Sequence, residues 1–298
     1  MTGPIVVIGD VLIDELVDGG GSTSVPGGSA LNVAVGLAVL GVPAVLVGMI
    51  GDDDDGRSIR TYLETWAVPF VATIGPFGTG RATSGRKAGE PSYRFNRASV
   101  ERRINLDRAQ MEQFGDARVI AISGFPFDRH DQVDQLLELV GLSPGILAID
   151  PNPRAELITD LGAYRANLER LAASAALIKL SDEDAELLYG QPLADVIQRF
   201  LPLVSVAVLA TEGRNGASLH ARDSIDARQI MRDPRPIVDT MGAGDATFAV
   251  TLAALADTDG TTRPDWPTVL EVAMSTAAET IRHPGALLRR HPNENAGR

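Results

Sequence analysis

Short apolar runs recur along the chain at Ile5–Ile8, Ala44–Met49, Val119–Ser123, Ile146–Asp150, Ala175–Leu180 and Val204–Ala210. Between them lie helical stretches such as Gly56–Trp66, His130–Val140, Ala163–Ala173 and Ala185–Tyr189. Runs of this length with little polar alternation predict strands buried on both faces. Strands alternating with helices predict a mainly parallel sheet covered by helices on both sides, an α/β fold.

One region breaks the alternation. From Val71 to Arg103 the chain is rich in Gly, Thr, Arg and aromatics, with short alternating runs such as Ser92-Tyr93-Arg94-Phe95-Asn96-Arg97. No helix-length apolar face runs through it, so it predicts short antiparallel strands. Together with Val11–Val25 these would form a small sheet outside the main layer, placed as a lid over the carboxyl ends of the parallel strands. We find no repeat, linker or low-complexity tract, so residues 1–298 are expected to form one domain, with a polar tail after Arg289 that frays.

Ala30 to Ile50 is apolar apart from Asn32 and long enough to span a bilayer. Gly41-Val42-Pro43 interrupts it, no basic cluster flanks it, and an acidic run follows, so a buried helix and a buried strand account for it better. Met1-Thr2-Gly3-Pro4 runs directly into a strand, with no leader visible.

The 298 residues can bury a substantial core. A net charge of −12 argues against a nucleic-acid surface or an anionic-membrane binder. The absence of cysteine excludes disulfides and thiolate metal sites and is compatible with the expected cytoplasmic location.

The candidate chemistry centres on Val238-Asp239-Thr240-Met241-Gly242-Ala243-Gly244-Asp245-Ala246-Thr247-Phe248. Asp245 follows a Gly-Ala-Gly turn where an apolar helix, Ala246 to Ala256, begins. Free N–H groups and the positive end of a helix dipole would there face an anion beside a carboxylate. An anion hole next to a base suits phosphoryl transfer to a hydroxyl. The plain alternative is a tight connection with a first-turn acid.

This string resembles the C-terminal signature of the ribokinase-like, or PfkB, carbohydrate kinases. Upstream, Pro26-Gly27-Gly28-Ser29-Ala30-Leu31-Asn32-Val33-Ala34, followed by Gly51-Asp52-Asp53-Asp54-Asp55-Gly56, resembles the N-terminal signature of the same family. Weaker similarity covers nearly the whole chain. The resemblance implies a ribokinase-like α/β/α core with a β lid, an ATP-dependent sugar kinase activity, and ATP with Mg²⁺ as co-reactants.

Site residues follow from the same resemblance. Asp245 would accept the proton of the attacking hydroxyl, while Gly242, Ala243 and Gly244 form the anion hole. Asp14, Gly27, Gly28 and Asn32 would bind sugar hydroxyls. Asp150-Pro151-Asn152-Pro153-Arg154 is similar to the D-x-N-x-R segment of fructokinase-like and 2-keto-3-deoxygluconate kinase-like members. Asp150, Asn152 and Arg154 join the acceptor set, with Arg97 and Tyr93 as lid contacts.

For the nucleotide, Thr211-Glu212-Gly213-Arg214-Asn215-Gly216 matches a phosphate loop through Thr211, Gly213 and Gly216, although such a string is commonly only a turn. Lys179 and Ser181 precede it. Asp184 stands where the family carries Glu, as a water-mediated Mg²⁺ contact, and a Ser N-cap with first-turn acids is the plain alternative. Asp239 and Thr240 would bind phosphate and, in some members, a monovalent cation such as K⁺. His283 would lie beside the adenine.

Other chemistry finds little support. No G-x-x-x-x-G-K-[ST] is present, and the first strand leads to Gly9-Asp10-Val11-Leu12 where a dinucleotide fold would have G-x-G-x-x-G. The four histidines lack zinc spacing. The expected acceptor is a hexose such as fructose. Ketodeoxygluconate, ribose and nucleosides are the alternatives, and a catalytically silent sugar-binding regulator is the competing class. The exposed face of the small sheet would allow a homodimer.

Overall fold

Along Ile5-Val6-Val7-Ile8 the odd side chains enter one apolar cluster and the even ones another, so the strand is buried on both sides. This computed structural model describes residues 3–18, 21–87, 90–143, 145–222, 224–228, 235–258 and 264–289. The elements begin with β1 (Ile5–Gly9), β2 (Leu12–Asp18), β3 (Gly21–Gly27), α1 (Ser29–Val39), β4 (Ala44–Ile50), α2 (Asp54–Thr65), β5 (Phe70–Ile74), β6 (Arg81–Lys87) and β7 (Glu90–Phe95). Then come α3 (Arg97–Val100), α4 (Arg108–Gln113), β8 (Val119–Ser123), α5 (His130–Leu142), β9 (Ile146–Asp150), α6 (Leu161–Ala172), β10 (Leu177–Ser181), α7 (Asp182–Tyr189) and α8 (Leu193–Phe200). The last are β11 (Ala207–Thr211), β12 (Ala217–Ala221), β13 (Ser224–Arg228), α9 (Ala243–Ala256) and α10 (Trp266–Thr280).

A nine-stranded sheet runs in the order β13-β12-β11-β10-β9-β8-β1-β4-β5, parallel from β11 to β5 and antiparallel at β12 and β13. Helices α1, α2, α9 and α10 pack on one face and α4 to α8 on the other, giving the expected three-layer α/β/α core. A separate four-stranded sheet has the order β3-β2-β6-β7.

Two expectations need correction. Residues 70–74 do not join the small sheet: β5 pairs parallel to β4 at the edge of the main one. As an edge strand β5 is only partly buried, with Ile74 exposed, so it lacks the fully buried apolar run of the central strands. The small sheet is not wholly antiparallel either, since β2 and β6 run parallel. The apolar segment from Ala30 folds as α1 and β4, and among the described residues no helix is long and apolar enough to cross a membrane.

Candidate active site

The parallel strands end in one row. Ser123 of β8 is in register with Gly9 of β1 and with Asp150 of β9. The same row continues through Lys179 of β10, because Leu177 and Ile178 face Ala148 and Ile149. Above this edge lies an open cleft of about 1340 Å³, bounded by the small sheet, the first turn of α9 and the start of α10's C-terminal extension. Of the predicted residues, Asp14, Gly28, Asn32, Asn152 and Arg154 line one part of it. Lys179, Ser181, Asp184, Thr211, Gly213 and Gly216 line it along the strand ends. Asp239, Thr240 and the turn Gly242-Ala243-Gly244-Asp245 close the third side.

Gly242 is the N-cap of α9 at φ 79, in the left-handed region. A Cβ there would lie 2.4 Å from the carbonyl oxygen of Ala286, so both conformation and space demand glycine. The Ala243 N–H turns back to the Thr240 carbonyl at 3.5 Å. Gly244 and Asp245 follow it in the first turn, where N–H groups have no intrahelical acceptor. Asp239 shapes this loop: Oδ1 accepts from Met241 N–H and Oδ2 from Gly285 N–H, both at 3.0 Å.

Both oxygens of Asp245 are held from α1. Ser29 Oγ donates to Oδ1 at 3.0 Å and Asn32 Nδ2 donates to Oδ2 at 2.8 Å. Ser29 was not among the residues singled out from the sequence. Its only signal there was its place directly after the paired glycines.

Across the cleft stands the carboxyl of Asp14 on β2. Burial, then the nearby charge of Asp245, pushes its carboxyl up to about 6. Gly27 makes room for it, since a Cβ there would stand 2.0 Å from Asp14 Oδ2. Asn152 sits at φ 39, a conformation that Asn tolerates better than most residues.

Asp150 does not face the cleft. It is fully buried, and its Oδ1 accepts from Lys179 Nζ at 3.0 Å. Burial pushes Asp150 up to about 7 against the pull of Lys179. Burial also acts against the Lys179 ammonium, but Asp150, Asp184 and Asp245 outweigh it and raise its pKa. The ammonium lies 3.5 Å from the place a Cβ on Gly244 would occupy, beneath the first turn of α9.

Ser181 and Asp184 form a capping box, Ser181 Oγ accepting from Asp184 N–H and Asp184 Oδ2 from Ser181 N–H. The plain structural role is therefore filled, and Asp184 also lines the cleft. Among the described residues no cluster of three or more His, Asp or Glu could hold a metal directly.

Besides Asp150, the predicted residues Gly27, Arg97 and His283 stand outside the cleft lining. The Arg97 guanidinium stacks on Phe77 at 3.7 Å from the ring centroid. His283 bonds Glu279 at 3.1 Å. The side chain of Tyr93 lies outside the described residues.

The cleft thus sets a carboxylate beside a helix N-terminus, a buried cation below it and a second carboxylate on the opposite side. Residues 4–291 match the pfkB family carbohydrate kinase, and the chain belongs to that family. It is 32% identical to a fructokinase of Klebsiella pneumoniae over 271 residues, 86% of this chain and 85% of that one. Its fold is similar to that of a Vibrio cholerae fructokinase bound to fructose, ADP and calcium, with TM-score 0.81, 20% identity and coverage of 96% and 95%. An aminoimidazole riboside kinase of Salmonella enterica, complexed with its riboside and an ATP analogue, matches with TM-score 0.82, 21% identity and coverage of 96% and 95%.

Proposed function

We propose that this carbohydrate kinase transfers the γ-phosphoryl group of ATP to a primary hydroxyl of a hexose, fructose first. The observation that carries the reading is the Asp245 carboxylate, held by Ser29 and Asn32 in the first turn of α9. The likeness to fructokinases supports the acceptor. Asp245 takes the hydroxyl proton as that oxygen bonds to phosphorus, and the bond from phosphorus to the bridging oxygen of ADP breaks. The N–H groups of Gly244 and Asp245 and the Lys179 ammonium stabilise charge on the transferred group. Losing one such donor typically costs ~10²–10³ in rate.

Asp14, Asn152 and Arg154 hold the other hydroxyls, and Gly28 keeps the chain close to them. Thr211, Gly213 and Gly216 take the nucleotide phosphates. When bound with the nucleotide, Mg²⁺ neutralises phosphate charge, and it keeps most of its waters. Asp184 fits that outer role, because its Oδ1 is not used in the capping box. Potassium would bind at Asp239–Thr240, where the carboxylate already serves Met241 and Gly285. The small sheet acts as a lid that excludes water, and its outer face pairs two copies, which sedimentation velocity would test.

One observation favours a second acceptor. Arg154 lines the cleft and would pair with a sugar acid such as 2-keto-3-deoxygluconate. The test is ADP release from Mg-ATP, with and without potassium, across fructose, other hexoses, ribose, ketodeoxygluconate and nucleosides. Fructose-dependent release supports the reading, and preference for the sugar acid selects the alternative. Sugar binding without turnover would leave a silent regulator.

A further inference from the structure

We propose that Ser123 and Ser29 form a directed pair of hydroxyls that fixes the carboxylate of Asp245, which makes both serines positioning residues for phosphoryl transfer. This rests on the reading of Asp245 as the base. Ser29 Oγ donates to Asp245 Oδ1 at 3.0 Å and is also hydrogen-bonded to Ser123 Oγ. A hydroxyl carries one proton, and an ionised carboxylate only accepts. With the Ser29 proton committed to Asp245, Ser29 must accept from Ser123. The chain of donors therefore runs from Ser123 through Ser29 to Asp245.

The setting favours this order. Ser123 is fully buried at the end of β8, flanked in register by Gly9 and Asp150, so its hydroxyl starts from the centre of the sheet. Ser29 opens α1, but the N-cap is Gly28 and no side chain caps that helix, so the Ser29 hydroxyl is left to face Asp245. Buried hydroxyls cost desolvation unless they are bonded, whereas two alanines would fill this space without that demand. Asn32, one turn further along α1, holds the other oxygen of Asp245. Two anchors on one helix thus fix the rotation of the carboxylate plane. The proton taken from the acceptor hydroxyl remains on Asp245, because the Ser29 proton already occupies the path toward Ser123.

The test compares wild type, Ser29→Ala, Ser123→Ala and the double variant. Steady-state kinetics are combined with binding of a non-hydrolysable ATP analogue and with thermal unfolding. Wild-type turnover comes first: without sugar-dependent ADP release the kinase reading itself fails, whatever the variants do. Given turnover, Ser29→Ala should lower kcat ~10-fold or more through misplacement of the base, with acceptor KM and analogue affinity held within about twofold. Ser123→Ala should lose less, and the double variant no more than Ser29→Ala, since Ser123 acts only through Ser29. An unchanged kcat in Ser29→Ala, losses that multiply in the double variant, or an effect confined to KM would overturn the proposal. If an alanine variant does not fold, Ser123→Cys and Ser29→Cys replace the hydroxyl by a somewhat larger thiol that donates only weakly, and carry the same expectations.

Discussion

Asn32 and Asp245 are 213 residues apart in sequence, yet Asn32 Nδ2 donates to Asp245 Oδ2 at 2.8 Å. The start of α1 and the first turn of α9 are thereby one unit. Replacing Asp245 by Asn keeps the shape but removes the proton acceptor, and sets two amides against each other. Turnover should fall by ~10²–10⁴, while affinity for an ATP analogue, measured by calorimetry, stays close to wild type. Retention of more than a tenth of the wild-type kcat would remove Asp245 as the base.

The buried pair of Asp150 and Lys179 predicts a stability effect. Asp150→Asn removes the hydrogen-bonded carboxylate of the Lys179 ammonium and leaves only Asp184 and Asp245 to balance it, where removing one partner of a buried pair costs up to ~3–5 kcal/mol. Denaturant unfolding should show a lower midpoint at unchanged slope. An unchanged midpoint would mean that the ammonium finds water in the cleft.

Asp14 predicts two opposite pH dependences. Its carboxyl is raised from 3.8 to about 6, so the folded protein keeps a proton that the unfolded chain has released. The stability this contributes is complete below 3.8 and is lost as pH rises through about 6. Asp14→Asn should flatten that part of the stability profile. Acceptor binding runs the other way, because the ionised carboxylate offers both oxygens as charged acceptors and the protonated form does not. The acceptor KM should therefore rise on acidification below about pH 6 in wild type, and the rise should vanish in the variant. A KM independent of pH in wild type would argue against Asp14 at the sugar.

Gly27→Ala tests the same carboxylate from its support. The added methyl meets Asp14 Oδ2 at 2.0 Å, so the carboxylate must move. Misplacement of a binding group on this scale can cost up to ~10²-fold. The acceptor KM should carry the loss and the ATP KM should not, and an equal loss in both would point to a general distortion.

Much of the core was legible because strands buried on both faces leave a plain mark. Ile5–Ile8, Val119–Ser123 and Ile146–Asp150 fall on β1, β8 and β9. The apolar runs from Ala175 and Val204 overshoot the strands, which begin only at Leu177 and Ala207, because apolar turn residues continue the hydrophobic run. The hairpin β12–β13 escaped notice: Ser224–Arg228 is polar and mostly exposed, like a loop. At the site, Asp245 and its glycines are local in sequence and could be read. Ser29 with Ser123, and Gly242 with Ala286, depend on approaches between distant segments that no local pattern encodes.

The loop that shapes the anion pocket leans on the last part of the described chain. Asp239 grips Gly285, Gly242 lies against Ala286, and Leu288 packs over Gly36 of α1. During synthesis every strand of both sheets leaves the ribosome before these residues do. A nascent chain can thus pair its strands before the loop that carries Asp239 and Gly242 has its support.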